Sequence, residues 1–290
     1  LLWVLWGKQT SFTRRNLEIF EQIHEGDTDT LFFVMNGCQT SFGRRQLRLL
    51  LLKPEVNVKT ICYRQKGVKE LKTKYYLREE LRGLLSNIHD VERIMSRIVL
   101  GRASPRELIN LKDSLKAYPE IKERLKEAES DILEDIERQL CNFSELVALI
   151  DKTLVASPPA LITQGGLIRE GVNSELDELR KISKEAKKHL LDIQEKERQK
   201  SGIGSLKIAY NSVFGYYIEV TKPNLSMVPD YYIRKQTLTN AERFYTPELK
   251  EFEKKILNSE ERIIELEYEI YNLLREQVTQ SAGAILTSTK

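Results

Sequence analysis

Residues 205–220 read SLKIAYNSVFGYYIEV, a short run of strand-like pattern set between two of the longest helical runs in the chain. Leu206, Ile208 and Tyr210 alternate with Lys207 and Ala209, then Tyr216, Ile218 and Val220 alternate with Tyr217 and Glu219. A period of two is the signature of a strand, so the two runs predict a β-hairpin. Between them lie Asn211, Ser212, Val213, Phe214 and Gly215. Asn and Gly tolerate positive φ, and Asn and Ser side chains bond nearby backbone groups, so a turn is expected there. The expected tip presents small side chains and free backbone N–H groups, with Lys207 and Lys222 behind it.

Working outward, both flanks are helical. Ser174 reads as an N-cap, with Asp177 at the third helical position, and a helix is predicted from there to about Lys200. Its apolar stripe is Leu176, Leu179, Ile182, Ala186, Leu190 and Ile193. On the other side, Thr246 and Pro247 read as cap and first helical position. The following stripe is Leu249, Phe252, Ile256, Ile263, Leu266, Ile270 and Leu273, with Ser259 in its one polar slot. Two such stripes predict an antiparallel coiled stalk. At about 1.5 Å of rise per residue, a helix of about 26 residues spans roughly 40 Å. That geometry suits a module that reaches around something, or one that presents the hairpin to a protein.

Of the 290 residues 41% are hydrophobic, enough for a core in one large or two smaller domains. Lys plus Arg number 46 against 43 Asp plus Glu, a net charge of only +3, so any nucleic-acid-binding surface must come from local clustering. Cys38, Cys62 and Cys141 are widely separated and not in CxxC spacing, which points away from a disulfide framework or a zinc site and towards a reducing cytosol. The opening LLWVLWGK is too short to span a bilayer and lacks the features of a signal peptide, so no membrane association is expected.

Residues 1–20 resemble an imperfect copy of residues 31–50: Gln9, Thr10, Ser11, Phe12, Arg14 and Arg15 recur as Gln39, Thr40, Ser41, Phe42, Arg44 and Arg45. One pair of units is too few for a solenoid. From Gln46 to Leu154 the pattern is helical, and Ser104, Pro105 and Glu107 form a capping box with Pro at the first helical position. Asp90, Glu92, Arg93, Arg97 and Arg102 have the spacing of a solvated, salt-bridged helix face. Residues 156–159 and 165–166 mark a loop. The tail SAGAILTSTK is small and polar and is expected to fray.

The sequence is poor in catalytic signals. It holds no phosphate-binding GxxxxGK[ST] loop, HExxH or GxSxG, and His24, His89 and His189 are isolated. What remains is sequence-independent phosphate contact, for which Lys, Arg, small polar side chains and backbone N–H groups are the means. The hairpin tip and residues 234–243, RKQTLTNAER, supply them. Each residue has a plainer reading. Asn211 and Gly215 can serve only the turn; Tyr210, Tyr216 and Tyr217 can stack on bases but more often pack across strands; Lys207, Lys222 and Arg234 can be ordinary solvated charges; and Arg243 can brace the hairpin module on its stalk.

At GIGSLKIAYNSVFGYYIEVTK and YYIRKQTLTNAERFYTPELKEFEKKIL the chain resembles the clamp and descending lever helix of the MutS family of DNA mismatch-repair proteins. The segments TRRNLEIF, TLFFVMNGCQTSFGRRQLRLLLLKP and HDVERIMSRIVLGRASPREL resemble the core that precedes them. Residues 1–12 depart from the family pattern and suggest an altered N-terminus. The resemblance implies a mainly α fold, a helical core with two long antiparallel lever helices and a small inserted β-rich clamp. The expected divisions are an atypical segment 1–12, core and ascending lever 13–186, clamp 187–246, and descending lever with frayed tail 247–290.

By resemblance the clamp touches duplex DNA through tip residues Asn211, Ser212, Val213, Phe214 and Gly215 and through Lys235, Thr239 and Asn240, with Lys207 and Arg234 as further candidates. Family members often carry Lys where this chain has Thr239, so one charge is expected to be lost. The mismatch-probing Phe-x-Glu segment, the connector and the ATPase domain are expected to be missing. The chain is therefore read as non-catalytic, ATP and magnesium being expected only with the ATPase domain. A homodimer encircling the duplex is implied for the full-length family, in the cytoplasm with the nucleoid. The alternative is a helical interaction scaffold that docks protein on the hairpin.

Overall fold

The computed structural model describes residues 11–23, 30–211 and 213–289. Ser212, His24 and the first ten residues of the repeat lie outside them. The helices are α1 (Ser11–Asn16), α2 (Leu31–Met35), α3 (Ser41–Leu52), α4 (Val58–Thr73), α5 (Tyr75–Ser86), α6 (Val91–Val99), α7 (Pro105–Lys116), α8 (Tyr118–Leu125), α9 (Asp131–Gln139), α10 (Ser144–Thr153), α11 (Ser174–Ser201), α12 (Pro247–Gln280) and α13 (Ala282–Thr289). Between α11 and α12 come β1 (Lys207–Asn211), β2 (Gly215–Thr221), β3 (Ile233–Thr237) and β4 (Ala241–Tyr245). The chain is mainly α with a small β insert, and it divides into two units, Leu1–Ala160 with Asn272–Lys290, and Leu161–Tyr271.

In the first unit α7 packs on α10 and α4 on α9. Val91, Met95, Leu108, Leu111, Ile150 and Leu154 are fully enclosed. Gly67 marks the close approach of α4 to α9, because a Cβ there would meet Ile132 Cγ2 at 2.6 Å. The capping box forms as expected: Ser104 Oγ accepts from Glu107 N, and Glu107 Oε2 accepts from Ser104 N at 2.8 Å. The charged face of α6 is salt-bridged, with Arg45 on Asp90 and Glu92 and Arg97 on Glu107. The tail, expected to fray, is instead helical as α13. Ile285 is buried, and Thr289 Oγ1 lies 3.1 Å from the Tyr118 hydroxyl. One apolar side chain with a waiting pocket outweighs the small polar residues around it.

The second unit carries the two long helices and the sheet. The cap of α11 is Asn173, whose Oδ1 accepts from Leu176 N at 2.9 Å, and not Ser174, which is the first helical residue. Asp177 instead accepts from Gly171 N. Gly202, with φ +71°, ends the helix in the left-handed region. The helix thus runs past residue 187 to Ser201. Leu176, Ser183, Leu190 and Glu197 are buried at intervals of seven, while Ile182 of the expected stripe is 45% exposed. Thr246 caps α12 as expected, accepting from Leu249 N.

Three ion pairs join α11 to α12: Arg180–Glu267 and Lys187–Glu260, whose register is antiparallel, and Glu175–Arg262. His189 stacks on Phe252 at 4.4 Å, the structural role usual for a lone helical His. Within this unit Glu267 is fully buried and fixed by Arg180 and by the backbone N–H of Leu167. The sheet lies over Leu190, Ile193, Leu249 and Ile256 through Leu206, Ile218, Val220 and Phe244.

Candidate nucleic-acid interface

The strand order is β1-β2-β4-β3, antiparallel throughout. Register sorts the side chains. Ile218 opposes Phe244 and Ile208 opposes Ile218, placing these apolar residues on the helix-facing side. On the other side Lys207 opposes Glu219, Glu219 opposes Arg243, and Arg243 opposes Gln236, a row crossing all four strands. Arg243 stacks 4.2 Å over Tyr217 and donates to Glu219 and Gln236. It braces the sheet internally and does not tie it to the stalk. Tyr210 and Tyr216 are directly opposed, with ring centres 5.0 Å apart, so the packing reading describes them.

The hairpin forms where the alternation places it, but the described amides of Val213, Phe214 and Tyr216 are already engaged. Asn211 Oδ1 accepts from Val213 N at 2.8 Å and from Phe214 N at 3.4 Å, an Asx turn. Tyr216 N donates to Glu253 Oε1 at 3.0 Å. Gly215 has φ +72° and lies so close that any Cβ would overlap the Glu253 carboxylate. Of the described amides here, those of Val213 and Phe214 are taken by Asn211 and that of Tyr216 by Glu253, whose carboxylate gives this end of the sheet negative character.

The turn from β3 to β4 lies at the opposite end. Thr221, the last residue of β2, opposes Ala241, and Lys222 N donates to Asn240 O at 3.1 Å. Six residue steps along β2 separate the two ends, roughly 20 Å. Thr239, Asn240 and Lys222 are exposed here, so Lys222 sits not behind the tip but away from it. Lys207 is exposed two steps along the sheet. Among the described residues no ion pair involves Lys207, Lys222 or Lys235. Arg234, in contrast, pairs with the buried Glu242 at 2.8 Å, while its side chain stays 63% exposed.

A buried carboxylate anchors the approach to β3. Glu197, near the end of α11, accepts hydrogen bonds from the hydroxyls of Tyr231 (2.7 Å) and Tyr232 (2.8 Å). Burial and the adjacent carboxylate push the Tyr231 phenol up to about 12 and Tyr232 higher still. Sequence reading missed this clasp. Its one visible sign was an acidic residue seven positions beyond Leu190, in phase with Leu176 and Leu190 of the apolar stripe. No cluster of His, Cys, Asp or Glu among the described residues could hold a metal ion, and no described helix is long and apolar enough to cross a membrane.

Residues 12–290 match the family model described as MutS domain III. The chain is 48% identical over 266 residues to the DNA mismatch repair protein MutS of Methanosarcina barkeri, covering 90% of this chain and 30% of that protein. It is 42% identical over 279 residues to the protein of that name from Acetivibrio thermocellus, covering 96% and 32%. With the Aquifex pyrophilus protein it shares 48% identity over 272 residues, covering 93% and 32%. The chain thus spans about a third of the length of the curated relatives it matches.

Proposed function

This chain belongs to the MutS family, matching its domain III, and from that premise we propose that it serves DNA mismatch repair by holding duplex DNA through sequence-independent phosphate contacts of the clamp sheet. The observation that carries the proposal is the asymmetry of the sheet's two ends. At the hairpin tip the described amides of Val213, Phe214 and Tyr216 are spent on Asn211 and Glu253, and a carboxylate there repels phosphate. The β3–β4 end offers the exposed Thr239 and Asn240 with Lys222, and Lys207 and Lys235 stand nearby without carboxylate partners in ion-pair range among the described residues.

In this reading Asn240 and Thr239 hydrogen-bond phosphate oxygens, the lysines supply charge, and none of these groups reads a base. Asn211, Val213, Phe214 and Gly215 shape the turn, and Arg234 holds Glu242. No described group does covalent chemistry in this proposal. Mismatch selectivity and ATP switching are assigned to regions of the longer relatives that this chain does not match, and encirclement of the duplex is assigned to a homodimer of the full-length protein in the nucleoid.

Binding of a labelled duplex across a salt series tests the proposal. Phosphate contact predicts log K falling linearly with log salt, by about 0.9 per neutralised phosphate. The double change Thr239→Ala and Asn240→Ala is expected to weaken binding about tenfold at fixed salt, since each neutral hydrogen bond contributes roughly 0.5–1.5 kcal/mol. Binding that ignores salt, or a double variant equal to the parent, sinks the proposal and leaves docking of a protein on the hairpin as the better reading.

A further inference from the structure

The proposed DNA contact extends beyond the β3–β4 turn to a second anion site that is not obvious in the sequence. Lys235 is the extra residue of a β-bulge: Arg234 opposes Phe244 and Gln236 opposes Arg243, so Lys235 has no partner across the ladder. Bulges re-aim side chains, and this one brings the Lys235 ammonium to 5.5 Å from the centre of the Tyr245 ring. A second ammonium, that of Lys250 in α12, comes to 5.4 Å from the same ring. Two elements remote in local geometry, an edge strand and a helix, thus deliver like charges to one half-buried tyrosine. Among the described residues no carboxylate lies within ion-pair distance of either lysine, although Glu248 and Glu251 neighbour Lys250 in sequence. The quadrupole of one aromatic ring attracts each cation but neutralises neither. The arrangement is therefore cationic on balance.

We propose that Lys235, Tyr245 and Lys250 form a phosphate-binding site for the backbone of the same duplex, with Lys250 as a DNA-contacting residue on the lever helix itself. The inference rests on the clamp reading above. Lys235 lies in β3, between the β3–β4 turn at one end of the sheet and Tyr245, which opposes Ile233 at the other. The contact therefore follows the edge strand from Thr239 and Asn240 to α12, and the duplex backbone tracks that edge. Tyr245 is the ring that both ammonium groups approach, and its hydroxyl is a third donor to phosphate.

The test is the salt dependence of duplex binding by the full chain and four variants, each checked for native far-UV circular dichroism. Lys250→Gln is expected to lower the slope of log K against log salt by about 0.9, one phosphate contact, and Lys250→Arg to restore it. Lys254→Gln, which removes an exposed charge one helical turn away, is expected to leave the slope at the parental value. The double change Thr239→Ala and Asn240→Ala is expected to weaken binding with little change of slope. A parental slope for Lys250→Gln beside a weakened Thr239/Asn240 variant overturns this inference alone. Equal losses for Lys250→Gln and Lys254→Gln also overturn it, because they report net charge and not a site. No effect of the Thr239/Asn240 change overturns the clamp reading, and this inference with it.

Discussion

At Gly215 two constraints coincide: φ is +72°, where a Cβ is strained, and the Glu253 carboxylate fills the space that a Cβ needs. Gly215→Ala is expected to destabilise the sheet-bearing unit by roughly 1–3 kcal/mol through backbone strain alone, with the clash in addition. Removing the carboxylate separates the two terms. In urea unfolding followed by circular dichroism, Gly215→Ala in a Glu253→Ala background should cost less than in the parent. Equal costs in both backgrounds would show that Glu253 is not the obstacle. The turn itself was legible in Asn211 and Gly215. That the Tyr216 amide was already taken was not, because Glu253 lies in a helix 37 residues further on, and no local pattern announces a partner at that range.

Between elements, the strongest ties are buried carboxylates that satisfy another element's donors. In the first unit Glu70 of α4 accepts from the backbone N–H groups of Glu129 and Ser130 at 2.8 Å each, just ahead of α9, and pairs with Lys74 at 2.9 Å. Burial raises its pKa, but the hydrogen bonds from Ser130, Lys74 and Glu129 outweigh that and hold it at about 2. A depressed carboxyl contributes stability that is present above its unfolded value and lost as pH falls. The first unit should therefore weaken between about pH 4.5 and 2, and Glu70→Gln should flatten that acid limb, measurable by circular dichroism.

In the second unit Glu197 joins α11 to the approach of β3 through Tyr231 and Tyr232. Their raised pKa values contribute stability that is complete below about pH 10 and lost as pH climbs through about 12. Ultraviolet titration of tyrosinate should show Tyr231 and Tyr232 among the late-ionising groups, beside Tyr63, Tyr118 and Tyr216, and Glu197→Gln should bring two of these earlier; an unchanged titration would mean that the carboxylate does not set them. Helices and strands were readable from periodicity because each pattern is local. The stripe of α12 was read correctly at Leu249, Ile256 and Leu266 but drifts afterwards, with Tyr271, Leu274 and Val278 buried and Leu273 61% exposed. Which flank of a helix is covered depends on its neighbours, and the neighbours change along its length.

For the molecule as a whole, composition offered little, since a net charge of +3 is compatible with DNA or protein partners. Family resemblance supplied the architecture, and the sheet topology then changed how the candidate residues group. Residues 211–215 and 239–240 look like one site in sequence because both are loops of the same small module. The order β1-β2-β4-β3 sends them to opposite ends, so a single phosphate cannot meet both. The central claim is that DNA lies against the Thr239 end. The most direct measurement is the salt slope of duplex binding for two single additions of charge at exposed positions, Thr239→Lys and Val213→Lys, the latter at a tip residue that is 79% exposed. Thr239→Lys is expected to steepen the slope by about 0.9 and tighten binding, while Val213→Lys leaves the slope at the parental value. A steeper slope for Val213→Lys with none for Thr239→Lys would place the duplex at the hairpin tip and contradict the account.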